Sequence, residues 1–295
     1  MNVLITGISG MLGVDLCKTL GEDNEVVGFD VRDFPSVPFP PPIIHKIDIT
    51  NLEKLKNFFY QLSPDIVIHT AAYTDVDGCE KNPDKAYKIN ALGTRNVALA
   101  CQEIKASLMY ISTDFVFSGD KNEPYFEFDE PSPLSVYGKS KLAGENYVKA
   151  FLNRYFIVRT SWLYGHYGKN FVETILKLAQ EKNELTVVDD QVGSPTYTID
   201  LAEQIKLLIK TELYGTYHIT NFGSCSWYEF AREILKLADI KENKIKPIAS
   251  KELRRPASRP KFSVLNNYCL KLSIGNSMRE WKAALKEYMS KRVNE

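Results

Sequence analysis

The sequence predicts an α/β protein: a doubly wound parallel sheet with a smaller, mostly helical C-terminal lobe. Three observations carry this. Short β-branched runs alternate with helical stretches over the first two-thirds of the 295 residues. A glycine-rich segment, Gly7-Ile8-Ser9-Gly10-Met11-Leu12-Gly13, joins the first such run to the first helix. Beyond about Ser161 the apolar runs shorten and helical stretches dominate. Alternating strands and helices bounded by turn residues imply βαβ units, hence a parallel sheet covered on both faces.

Taken in order, Val3-Leu4-Ile5 reads as a strand and residues 11–20 as a helix. Strands follow at Glu25–Asp30 and Ile43–Ile49, then a helix over Asn51–Leu62. Asp65–His69 is a fourth strand, 84–104 a long helix and Leu108–Ser112 a fifth strand. The crossover between the second and third strands holds five prolines in the nine residues 34–42. Proline lacks the helical N–H and fixes its own φ, so this crossover is expected to be an extended loop. In the C-terminal third, helices are expected near 170–182, 198–211, 226–238 and 276–292, with short strands such as Thr216–Ile219 between them.

Composition narrows the function class. Lys plus Arg equals Asp plus Glu at 37 each, so the net charge gives no electrostatic footprint for nucleic acid or an anionic membrane. No apolar run reaches the roughly 18 residues that would span a bilayer. The N-terminus reads as a strand and not as a signal peptide. The five cysteines are dispersed without a C-x-x-C pair, which points to reduced thiols in a cytoplasmic protein and to no zinc site.

Two motifs carry chemistry. The first is the glycine segment. One glycine makes the tight turn, one lets the backbone approach a diphosphate, and one packs helix against strand, with the anion at the helix N-terminus. This marks a Rossmann-type dinucleotide-binding domain. Its expected extent is 1–160, returning over about 196–220, with a substrate-binding lobe over 161–195 and 221–295. Asp30 closes the second strand, where it can accept hydrogen bonds from the adenosine ribose and repel a 2′-phosphate. Arg32 stands two residues on and could partner that phosphate, so NADH and NADPH both stay open as cofactor.

The second motif is Tyr137-Gly138-Lys139-Ser140-Lys141. Tyr137 and Lys141 are spaced i, i+4, which puts them on one helix face. An ammonium beside a phenol favours the phenolate, and this is expected to lower the Tyr137 pKa into a usable range. Such a pair also arises by chance in a chain with 16 tyrosines, and its weight comes from position. It follows a fifth strand ending in Ile111-Ser112-Thr113-Asp114, and ligands of open parallel sheets bind beyond the carboxyl ends of the strands. A Thr113 hydroxyl at that end can reach the same substrate oxygen, or it can simply cap a turn.

Together these residues resemble the extended short-chain dehydrogenases. Longer stretches narrow the resemblance to the dTDP-4-dehydrorhamnose reductases: Ser112–Phe117, Ser135–Glu145, Arg159–Tyr164, Asp190–Thr196 and Pro256–Pro260. The resemblance covers essentially the whole chain. It implies reduction of a nucleotide-sugar C4 ketone by NADH or NADPH, with a homodimer allowed. It makes Tyr137 the proton donor, Lys141 its partner and a holder of the nicotinamide ribose, and Thr113, with Asp114, a contact for the sugar. It puts Gly7, Gly10, Met11, Leu12 and Gly13 round the diphosphate, Asp30 on the ribose, Asp48 and Ile49 at the adenine, and Ala72, Tyr73 and Thr74 along the cofactor. Trp162, Asn170 and Arg259 become nucleotide-sugar contacts. An indole can stack on a sugar or base, and a guanidinium can fork onto a diphosphate.

Two departures stand out. Phe262 and Val264 occupy places where the family often has Asn and Arg, which leaves the nucleotide base open. Some relatives bridge a dimer by magnesium held by glutamates. Asp15 is the nearest match, and no metal is carried over.

Two rival readings remain. One is an NDP-sugar epimerase or dehydratase. A dehydratase usually places a second acid where this chain has Phe115. The other is a regulatory subunit resembling the methionine adenosyltransferase β subunit, which keeps the same Y-x-x-x-K. His69 and His218 are expected to be satisfied core or rim histidines, Asp77 a helix cap, and Trp227 and Trp281 packing residues.

Overall fold

The structure, a computed structural model, describes residues 1–240 and 245–292. Its centre is a seven-stranded sheet built from β1 (Asn2–Thr6), β2 (Glu25–Asp30), β3 (Ile43–Lys46), β4 (Ile66–His69), β5 (Ser107–Thr113), β6 (Tyr155–Thr160) and a late strand, Gly215–His218. From edge to edge the order is Gly215–His218, β6, β5, β4, β1, β2, β3. Every neighbouring pair is parallel. All the strands therefore end on one side, and β1 and β4 lie together where the winding reverses. This is the doubly wound Rossmann-type sheet the sequence predicts.

Period-two alternation decides which helices cover which face. Val3, Ile5, Ile66, Ile68, Met109 and Ile111 join one core with α1 (Met11–Gly21). Leu4, Val67, Leu108, Tyr110 and Ile157 join the opposite core, against α2 (Leu52–Leu62) and a helix over Thr94–Ile104. Between β4 and β5 the chain forms α3 (Val76–Lys81), α4 (Pro83–Ala86), a π-helical stretch over Tyr87–Gly93, and then α5 (Thr94–Ile104). The sequence predicts one unbroken helix here. The wide turn instead seats Asn90 so that its amide grips both the N–H and the carbonyl of Tyr73, at 2.7 and 3.0 Å.

The proline-rich crossover is extended, as expected, with Phe34 and Phe39 packed against the first core. The third strand is shorter than predicted, because only Ile43–Lys46 pair with β2.

After β5 come α6 (Val136–Phe151), β6, β7 (Leu163–Tyr164), α7 (Phe171–Glu181) and β8 (Leu185–Val188). Then follow β9 (Val192–Gly193), β10 (Thr196–Tyr197), α8 (Thr198–Leu208), the late sheet strand as β11, β12 (Cys225–Ser226) and α9 (Trp227–Leu237). β13 (Ile245–Ile248), α10 (Tyr268–Ile274) and α11 (Trp281–Arg292) complete the order. α7, α9 and α11 build a third core on Tyr164, Ile175, Phe230, Ile234, Trp281 and Leu285. α8 packs back on α1, and Leu270 of α10 joins the sheet-side core.

One buried ion pair ties α6 to the sheet. Glu145 accepts from Arg159 Nε at 2.9 Å and Nη2 at 2.7 Å, and from Ser112 Oγ at 2.6 Å. Removing one partner of such a pair strands a charge in the interior. Arg159→Met is expected to cost about 3–5 kcal/mol in urea unfolding, and adding Glu145→Gln to recover part of it. Equal stability of the single and double variants would mean that the stranded carboxylate carries no cost.

Candidate active site

A cleft of about 960 Å³ opens along the carboxyl ends of the strands. That is the upper end of the range for small-molecule sites. One end is the glycine turn. Gly7 has φ +68°, and a Cβ there would lie 2.6 Å from the Ala71 nitrogen. A Cβ on Gly13 would come within 2.6 Å of the Gly7 carbonyl oxygen, so α1 can start this close to β1 only with glycine. Gly10 caps α1 without a side-chain bond, and the first turn carries no acidic residue. The positive end of the helix and its N–H groups thus face the cleft, with Met11 and Leu12 beside them. This small, uncapped cradle fits the diphosphate of NAD(P)H.

Asp30 is buried at the end of β2 and already engaged. Its carboxylate accepts from Ser9 N at 3.1 Å and Arg32 N at 2.9 Å. The Arg32 guanidinium folds over it at 3.4 Å while its side chain remains 64% exposed. Asp48, Ile49, Ala72 and Thr74 line the same end of the cleft. Tyr73 does not, because its ring turns to Lys85, whose Nζ lies 4.4 Å from the ring centre.

At the other end stand Thr113, Asp114, Tyr137 and Lys141, all buried and all lining the cleft. Ser135 starts α6 by accepting from Gly138 N at 3.1 Å, and Glu80 holds Val136 N at 2.7 Å, so Tyr137 sits in a fixed first turn. Thr113 Oγ1 donates to Asp114 Oδ1 at 3.0 Å and accepts from Phe115 N at 3.2 Å. It therefore caps a turn and lines the cleft at once.

The expected lowering of the Tyr137 phenol by Lys141 is not what the structure has. Burial pushes the phenol well above its usual range and Asp114 adds to this, while the Thr113 hydroxyl opposes them. The Lys141 ammonium points elsewhere: Nζ donates to the Ile111 carbonyl at 2.7 Å and stands 4.1 Å over the Tyr110 ring. Burial lowers its own pKa to about 7, against the pull of Glu145. Burial also raises the Asp114 carboxyl to about 6.

The substrate-side residues divide. Trp162 lines the cleft at φ 46°, stacked on Trp227 with ring centroids 3.5 Å apart and planes 7° from parallel. A Cβ on Gly193 would lie 2.4 Å from the Trp162 ring, so this glycine makes room for the indole. Trp227 also lines the cleft, where the sequence reading made it a packing residue. A signal for it existed. Ser226 and Glu229 form a capping box, and the S-x-x-E spacing puts Trp227 at the first position of α9.

Asn170 and Arg259 do not line the cleft. Asn170 caps α7, accepting from Glu173 N at 3.1 Å and donating to the Gly165 carbonyl at 2.8 Å. Arg259 forks onto Asp77 at 3.1 and 2.9 Å. The cap of α3 is Asp75 and not Asp77, which serves Arg259 instead. Asn90 was not singled out from the sequence, yet it bridges Tyr73 to the Ser140 hydroxyl at 3.0 Å. His69 is the satisfied core histidine expected, held between Thr6 at 2.6 Å and Thr94 at 3.0 Å, and burial keeps it neutral.

Residues 1–294 match the family model described as RmlD substrate binding domain. The chain belongs to that family. It is 42% identical to the spore coat polysaccharide biosynthesis protein SpsK of Bacillus subtilis, over 98% of this chain and 97% of that one. A dTDP-4-dehydrorhamnose reductase structure from Clostridium acetobutylicum superposes with a TM-score of 0.91 at 48% identity, covering 99% of this chain and 100% of that one. Another, from Bacillus anthracis in complex with NADP, gives 0.91 at 46% identity, covering 98% and 99%.

The buried Lys141 yields a stability test with a definite sign. Below about pH 7 the lysine is charged in both the folded and unfolded chain. Above it the folded chain has given up a proton that the unfolded chain keeps, so stability rises with pH. Lys141→Met removes that contribution. The variant is expected to gain on the wild type at pH 6 in urea unfolding. The gap should close by up to about 1.4 kcal/mol for each pH unit above 7. A gap that stays constant with pH would show that Lys141 keeps an ordinary pKa.

Proposed function

We propose that this protein is an NAD(P)H-dependent reductase that converts the C4 ketone of dTDP-4-dehydro-L-rhamnose to the alcohol of dTDP-L-rhamnose. One observation carries the reading: Thr113, Tyr137 and Lys141 line the same cleft as the glycine cradle. The family and the reductase structures support the same activity.

Bound NAD(P)H supplies the hydride. Gly7, Gly10, Met11, Leu12 and Gly13 surround the diphosphate, Asp30 and Arg32 meet the adenosine ribose, and Asp48 and Ile49 flank the adenine. Ala72 and Thr74 follow the cofactor toward the reacting end, while Tyr73 between them is held by Asn90 and shapes that stretch from behind. Tyr137 gives the carbonyl oxygen its proton. Its raised pKa keeps the phenol loaded at neutral pH. Thr113 eases the phenol's charge, and Lys141, one turn further along α6, is assigned to the nicotinamide ribose. Trp162 and Trp227 form an aromatic shelf for the nucleotide sugar, which we assign to residues 161–195 and 221–295. Five free cysteines support a cytoplasmic setting.

Tyr137→Phe keeps the ring and its packing on Phe115. NADPH binding should persist while turnover of the dTDP-keto sugar falls by about 10²–10⁴-fold, followed as loss of nicotinamide absorbance. Wild-type turnover would remove Tyr137 from the mechanism. Asp30→Ala takes away a carboxylate facing the ribose and releases Arg32, so the preference in kcat/KM should move toward NADPH. An unmoved NADH-to-NADPH ratio would place Asp30 away from the ribose.

A further inference from the structure

Resting on the reading that Tyr137 is the proton donor, a question follows from the chemistry. Each turnover leaves a phenolate in a buried site, and a new proton must reach it. A threonine hydroxyl has one hydrogen and two lone pairs. In the structure the Thr113 hydroxyl donates to Asp114 Oδ1 at 3.0 Å and accepts from Phe115 N at 3.2 Å, and it lines the same cleft as the Tyr137 phenol, whose charge it eases. Asp114 is almost fully buried, and its other oxygen, Oδ2, has no hydrogen-bond partner. The Ser263 hydroxyl faces the carboxyl and eases its charge without completing a hydrogen bond to Oδ2. A carboxyl left this way in the interior pays for desolvation as an anion and is held more readily as an acid.

We propose that Asp114 is the proton reservoir that reloads Tyr137, reached through the Thr113 hydroxyl. When the carboxyl is protonated, the Thr113–Asp114 contact reverses: Asp114 donates to Thr113, and the Thr113 hydrogen is free to point at Tyr137. As the sugar's carbonyl carbon accepts the hydride, its oxygen takes the Tyr137 proton. Thr113 then passes its hydrogen to the phenolate and takes the Asp114 proton in turn. The net change along the relay is one carboxylic acid converted to carboxylate, and one O–H bond formed on the sugar. Asp114 regains its proton from water after product leaves. Asp114 is thus a positioning and proton-supplying residue acting through Thr113.

The surroundings favour this direction. Burial holds the carboxyl at about 6, within reach of neutral solution. The titratable groups round it are Tyr137 from α6 and, beyond the phenol, Cys79 from α3, while Lys141 lines the same cleft. The turn after β5 contributes the Phe115 N–H, and residues 262–264 contribute Ser263.

The test compares wild type, Asp114→Asn, Thr113→Val and Tyr137→Phe at saturating dTDP-keto sugar and NADPH. Asp114→Asn keeps the shape but cannot store the proton. Whatever the substitution does to the first turnover, the later ones should be slower than it by about 10²-fold. This burst of one equivalent should be absent in wild type. Thr113→Val leaves the carboxyl in place but cuts the path; whatever it does to the first turnover, its later turnovers should again be slower than its first, which keeps the test open should the asparagine variant fail to fold. Wild-type steady-state turnover should fall as pH rises through about 6, and Asp114→Asn should lose that limb. Independently of activity, the carboxyl ¹³C signals of aspartate-labelled protein should contain one titration near 6 that Asp114→Asn removes. The second carboxyl held near 6, that of Asp15, should remain in the variant. If Asp114→Asn slows the first and later turnovers equally, or keeps the wild-type pH profile, the reservoir is wrong. If Tyr137→Phe also turns over normally, the fault lies instead with Tyr137 as donor.

Discussion

The closeness of α1 to β1 is the constraint on which the carboxyl edge of the sheet depends. Gly13 lets the helix start against the Gly7 carbonyl, and Gly7 turns the chain under Ala71. The same turn brings Ser9 N to Asp30 and lets the Thr70 hydroxyl reach the Thr6 carbonyl at 2.8 Å. β1, β2 and β4 are thus stitched together at their ends by contacts that a single added Cβ would push apart. The open positive end of α1 is a by-product of that fit, since the residue at its cap has no side chain to fill it.

α6 is the second organiser. Gly138 and Gly144 let it press on the Phe115 carbonyl and the Tyr110 hydroxyl, where added methyl groups would sit at 2.2 and 2.5 Å. One helix then presents Tyr137 to the cleft, Ser140 to Asn90, Lys141 to the β5 backbone and Glu145 to Arg159. Side chains needed for chemistry and side chains needed for anchoring alternate along it. Burial is the common currency: it keeps Tyr137 protonated, brings Lys141 near neutrality and weakens Asp114 as an anion.

Much of the fold was legible because its signals are local. Period-two strands, the glycine turn and the prolines each act over a few residues, and the sheet order follows from winding rules. The i, i+4 spacing of Tyr137 and Lys141 likewise placed both in the cleft. What spacing cannot show is a partner from far along the chain. Arg259 and Asn170 entered as nucleotide-sugar contacts through the resemblance, and the structure gives each a partner of its own, Asp77 for Arg259 and the cap of α7 for Asn170. The effect assigned to Lys141 failed for a related reason. Proximity on a helix suggested attraction to the phenol, but depth in the protein and the Ile111 carbonyl decided the outcome. Trp227 is set by a local signal, the Ser226–Glu229 capping box, which starts α9 at the rim of the cleft.

The proline crossover has a consequence for life in a crowded solution. A sheet of parallel strands has two raw edges, each able to recruit a strand from another molecule. At one edge β3 is only four residues long, and the chain leading into it has five prolines without amide hydrogens to offer. At the other, the carboxylate of Glu127 occupies the His218 amide of β11 from within the same chain. Each edge is interrupted by its own means, which shortens the run of free amides a foreign strand could pair with.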